Sequence, residues 1–93
     1  MLVAICQIEM LIIDSHSLKD KRSVVKSLKE RIRQKFNVSI AEVAENDHHS
    51  LALLGVAIVS NNKRHLEQIF TKILTFIEQD GRVEIVRQLF ELG

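Results

Sequence analysis

Five cations, Lys19, Arg22, Lys26, Lys29 and Arg33, recur at i, i+3, i+7, i+10 and i+14. On a helix that spacing sets them in one stripe, and a row of positive charge is a surface for a polyanion such as RNA. Lys21 stands beside the stripe as a flanking contact. The stretch from Lys19 to Lys35 holds eight of the thirteen Lys and Arg residues against two acids, Asp20 and Glu30, a formal +6. The remaining residues carry five basic and ten acidic groups, a formal −5, so the net charge of +1 conceals a strongly dipolar chain.

The competing reading is a solvated helix face with no partner. A face selected only for solubility mixes Glu with Lys, because opposite charges at i,i+4 stabilise a helix and like charges oppose it. Arg22 and Lys26, and again Lys29 and Arg33, are like-charged neighbours at that spacing. Tolerating that cost favours a charge that is wanted. An anionic membrane surface would attract the same stripe. The apolar side of this helix is needed for a core, however, so no membrane partner is expected.

Other side chains capable of chemistry do not assemble into a site. His48 and His49 adjoin Asp47 and could ligate a metal, but neighbours on a strand point to opposite faces, so two polar residues in an exposed hairpin is the plainer reading. His65 reads as a surface or capping residue in the first turn of a helix, and Cys6 as a buried structural thiol. A lone cysteine excludes a C-x-x-C copper site and an intrachain disulfide. No Ser, Cys or Lys stands beside a base and its orienting partner. No enzyme, cofactor, metal or small-molecule substrate is expected.

The elements that must position the stripe follow from periodicity. Leu2 to Ile12 alternates as a strand, with Leu2, Ala4, Cys6, Ile8, Met10 and Ile12 on one apolar face. After the turn Asp14-Ser15-His16, Ser17 reads as an N-cap and Asp20 as the residue that returns a hydrogen bond to it. Leu18, Val24, Val25, Leu28, Ile32 and Phe36 then gather on about a third of a helix, and the basic stripe is centred roughly 120° round from them. Val38 to Ala44 is a short strand and Leu51 to Val59 a buried one. Ser60-Asn61-Asn62 caps a second helix carrying Leu66, Ile69, Phe70, Ile73, Phe76 and Ile77, with Gly81 as its C′ residue. Val83 to Leu92 is the fourth strand.

This order, βαββαβ, predicts an α+β ferredoxin-like fold: a four-stranded antiparallel sheet with two helices on one face and the first and third strands central. Val25, Leu28, Ile32, Ile69, Ile73 and Ile77 should pack on the sheet. With 93 residues, 46% of them hydrophobic, and no proline or low-complexity tract, a single domain over 1–93 is expected. Met1 to Ile13 lacks the basic flank and cleavage site of a signal peptide, and no apolar run is long enough to span a bilayer. A cytoplasmic location is expected. Neither predicted central strand contains an aromatic residue, which argues against base stacking on the sheet, and the loop after the first strand has no glycine to cradle a phosphate.

The segments Ser17-Leu18-Lys19-Asp20-Lys21-Arg22 and Lys35-Phe36-Asn37-Val38-Ser39-Ile40-Ala41-Glu42-Val43 carry a resemblance, continued by Gly55 to Asn61 and His65-Leu66-Glu67. The chain resembles, over essentially its whole length, the YlxP-like family of small bacterial proteins, a domain of unknown function. The resemblance implies a ferredoxin-like fold. It also implies a role near RNA or the ribosome, because such proteins are often encoded beside transcription and translation factors. In place of Asp14-Ser15-His16 the family leads one to expect a turn richer in Pro and Gly.

The functional expectation is therefore a non-catalytic RNA- or ribosome-associated protein. Its basic helix face would bind phosphate backbone through Lys19, Arg22, Lys26, Lys29 and Arg33, with Lys21 flanking. The alternative is a homo-oligomeric protein-interaction or regulatory module with no nucleic-acid role. Leu51 to Val59 is apolar on both sides, so a homodimer or higher oligomer through the open sheet face or a strand edge is expected under either reading.

Overall fold

A computed structural model describes residues 1–93. The order is β1 (Leu2–Ile12), α1 (Leu18–Lys35), β2 (Ser39–Ala44), β3 (Leu51–Ser60), α2 (Lys63–Glu78) and β4 (Val83–Leu92). The strands form one antiparallel sheet in the order β2-β3-β1-β4, so the first and third strands are central. The fold is ferredoxin-like, as the element order predicts.

Period-two alternation decides which side of each central strand is buried. Ala4, Cys6, Ile8, Met10 and Ile12 of β1 and Ala52, Leu54, Val56 and Ile58 of β3 are all buried beneath the helices. Val25, Leu28 and Ile32 of α1 meet them, with Leu66, Phe70, Ile73 and Ile77 of α2. Each such side chain contributes about 1.5–3 kcal/mol of transfer free energy. Of the helix positions expected in the core, only Ile69 lies at its margin, half-buried. No helix is long and apolar enough to cross a membrane.

The loops depart from expectation in three places. Ser17 caps α1 by accepting from Asp20 N–H, but the Asp20 carboxylate accepts from His16 N–H, one residue earlier than a capping box would have it. Asp14 supplies the left-handed turn (φ 58°) where a glycine-rich segment was expected, a conformation its short side chain tolerates. Gly81 is not the C′ residue. Helix α2 closes at Gln79 in right-handed geometry, and no glycine adopts a positive φ. The turn is set instead by the Asp80 carboxylate, which accepts from Arg82 N–H (3.0 Å) and from its guanidinium (2.9 and 2.7 Å).

The helix-free side of the sheet is apolar at its margins and polar at its centre. Ile5, Leu11, Val43, Val59 and Leu89 are exposed, around a middle row containing Gln7, Glu9 and Arg87. Both edge strands are irregular: β2 slips register between Glu42 and Ala44, and β4 bulges at Val86. Val43 lies across Gly55, where a Cβ would approach its Cγ1 to 2.8 Å. Glycine makes that crossing possible.

Candidate nucleic-acid interface

Helix α1 owes its orientation to its buried side, and its cations take whatever positions remain. Lys19, Arg22, Lys26 and Arg33 are exposed and Lys29 is half-buried. Fourteen residues at 1.5 Å rise place Lys19 and Arg33 about 21 Å apart along the helix. None of the five forms an ion pair. Arg33 is partly engaged, since its guanidinium donates to the Ile40 carbonyl on β2 (2.8 Å).

Lys21 does not belong to this surface. Its side chain is wholly buried, 0% exposed, and its ammonium lies 2.7 Å from Glu42 Oε2, which has no other partner. The same ammonium donates to the Glu45 carbonyl, at a residue held in the left-handed region (φ 63°). An ammonium so enclosed is closed to a phosphate, and the flanking contact expected of Lys21 is corrected to a structural clamp between α1 and the β2–β3 hairpin. The sequence did contain the signal. Leu18, Lys21, Val25, Leu28 and Ile32 repeat the spacing of the basic stripe, so Lys21 sits in phase with the core.

The other cations of the segment are also committed. Arg31 donates to Asp80 Oδ2 (3.2 Å), the carboxylate that Arg82 also holds. Chiefly the Arg82 hydrogen bonds, helped by the charge of Arg31, keep the Asp80 carboxyl at about 2, well below the ordinary 3.8. Lys35 lies over the rings of Phe36 and Phe76, 5.8 and 5.0 Å from their centroids. Lys72 joins it beside a shallow cleft of about 220 Å³ at the end of α1. Sequence reasoning missed this cleft because its residues come from α1 and α2, far apart in the chain. Within Lys19 to Lys35, that leaves Lys19, Arg22, Lys26 and Lys29 with no acid, carbonyl or ring against them, and Arg33 with a carbonyl alone.

The other polar candidates have local duties. His48 and His49 stack face to face, 5.3 Å between centroids, because they lie in a bend where strand alternation does not apply. His48 Nδ1 accepts from Ser50 and Leu51 N–H, which occupies it at the start of β3. His65 N–H donates to the N-cap Asn62, and its ring bonds Ser60. Cys6 is buried in β1, and burial pushes its thiol up to about 11. The aromatic rings pair away from the open sheet face, Phe36 with Phe76 and Phe70 with Phe90, so bases have no ring to stack on there.

A family model described as a protein of unknown function, DUF503, matches residues 3–89. The chain belongs to this family. An uncharacterized protein, YlxP of Bacillus subtilis (strain 168), is 34% identical over 83 residues, covering 89% of this chain and 90% of that protein. The fold itself is shared more widely. A de novo designed protein with ferredoxin fold, solved by solution NMR, superimposes with TM-score 0.51 at 12% identity, over 98% of this chain and 86% of the design. A dimeric ferredoxin-like protein from an uncultured marine organism gives TM-score 0.48 at 10% identity, over 100% and 96% of the two chains. DUF503 membership brings no activity with it, so the reading of function rests on the surface of α1.

Proposed function

We propose that this protein is a non-catalytic RNA- or ribosome-associated protein that grips phosphate backbone through the exposed face of α1. The observation that carries the reading is the isolation of the five stripe cations. Lys21, Arg31 and Lys35 each have a carboxylate or a ring against them, whereas none of the five has an acid and only Arg33 has so much as a carbonyl. Contacts of this kind confer little sequence specificity and are strongly dependent on salt.

The test is binding to a structured RNA across a salt series, together with gradient sedimentation of a lysate at low and high salt. With five phosphates neutralised, log affinity against log salt should fall with a slope of about −4. Wild type should co-migrate with a ribosomal particle at low salt and be released at high salt. A triple charge reversal, Arg22→Glu, Lys26→Glu and Lys29→Glu, should abolish both. If the wild type stays at the top of the gradient and binds RNA no better than the reversed variant, the stripe is a solvated face. The interaction-module reading would then lead.

A further inference from the structure

We propose that a second copy of this chain adds to the outer edge of β4, antiparallel, about a two-fold axis at Leu89. The inference does not rest on the RNA reading, because it uses the opposite end of the sheet from α1.

The two edges of the sheet are not equivalent. Strand β2 is six residues long, slips register, and has its Ile40 carbonyl taken by Arg33. Strand β4 is ten residues long, and only Val83 in it is buried. Val86, Leu89 and Leu92 are 57%, 44% and 44% exposed, and no side chain bonds to the backbone of Glu84 to Leu92. The chain has no proline with which to blunt an edge. An exposed apolar edge strand is a template for another strand.

Backbone alternation restricts how a partner can pair. Gly93 N–H donates to the Val3 carbonyl, and the ladder continues through Glu91–Ile5, Leu89–Gln7 and Arg87–Glu9. In an antiparallel ladder, alternate residues turn both N–H and C=O to the same neighbour. Arg87, Leu89 and Glu91 therefore bond inward to β1, while Gln88, Phe90 and Leu92 offer their groups outward. A symmetric partner must match these outward residues with one another.

Matching Gln88 with itself sets Arg87 against the partner's Leu89. Matching Phe90 with itself sets Leu89 against the partner's Glu91. Moving the axis to Arg87 sets like charges face to face. Matching Gln88 with the partner's Phe90 places Leu89 on Leu89 and Arg87 opposite the partner's Glu91, twice over by symmetry. These last pairs are of the closer, non-hydrogen-bonded kind, with Cα atoms about 4.5 Å apart. Of these registers, only this one pairs opposite charges, and it also covers Leu89. The bulge at Val86 ends the ladder on one side.

The experiment is sedimentation equilibrium from micromolar to high-micromolar concentration on wild type and four variants. Wild type should be dimeric. Arg87→Glu, and separately Glu91→Arg, should each weaken the dimer about tenfold or more by setting like charges opposite one another. The double exchange, Arg87→Glu with Glu91→Arg, should restore it. That rescue excludes misfolding as the cause of the single-variant losses. A wild type that stays monomeric, an Arg87→Glu dimer of unchanged affinity, or a double exchange that fails to rescue would each overturn the proposal. Val59→Asp, on the open face away from β4, should leave the dimer intact. If it alone dissociates the protein, the open sheet face is the interface and this register is wrong.

Discussion

A lysine with no exposed surface must have its charge met inside the fold, and Lys21 meets it with a single carboxylate and a single carbonyl. Removing one member of a buried pair strands the other, so Lys21→Met should destabilise the protein by about 3 kcal/mol in urea unfolding. Adding Glu42→Gln should recover much of that loss, whereas two independent losses would add. Asp80 makes a different prediction. Its carboxyl is held at about 2 against an ordinary 3.8, so its contribution is complete above about pH 5 and is lost as the pH falls through 2. Asp80→Asn should therefore be less stable than wild type by on the order of 1 kcal/mol at neutral pH. The two unfolding curves should converge only below about pH 2. Sequence spacing assigned Lys21 to the wrong company because charge was weighted above helical phase. Half of the Asp80 latch was local, in Arg82 two residues on; the other half had no local signature, since Arg31 comes from another helix.

At the scale of the element, α1 carries two like-charged pairs, Arg22–Lys26 and Lys29–Arg33, and Glu30 is the one acid near them, four residues after Lys26 and three before Arg33. This gives binding and stability opposite signs. Lys26→Glu replaces repulsion from Arg22 and Lys29 with attraction and turns the i,i+4 pairing with Glu30 into repulsion, a net gain of about 0.3 kcal/mol to the helix. The same change should lower RNA affinity. A variant that melts higher and binds more weakly separates a face kept for a partner from one kept for the helix. If affinity is unchanged, Lys26 lies outside the contact. Elements were the most legible level of this chain. Two strands were bounded as read, and the others began or ended within a residue or so, because alternation and amphipathic phase are local and strong. The close of α2 was not legible, for the turn depends on what Asp80 contacts rather than on the glycine beside it.

Across the whole molecule, charge and apolar surface are segregated. The cations lie on α1, the exposed apolar residues on the bare side of the sheet and along β4, and the helices cover the core between them. The first expectation, of a basic face, came from composition and survived as a surface. What this face meets was not readable in the sequence, because an anionic partner would leave no imprint on a chain except unpaired charge. One buried atom gives this molecule an internal clock. Cys6 lies between Val56 on β3 and Phe90 on β4, 1% exposed, with its thiol held protonated at neutral pH. A thiol-reactive dye can reach it only when the middle of the sheet comes apart, so each labelled molecule records one global opening. With closing fast relative to reaction, the labelling rate scales with the open fraction, and Lys21→Met should quicken it about a hundredfold. A much smaller acceleration would mean that the hairpin clamped by Lys21 loosens on its own while the sheet stays shut.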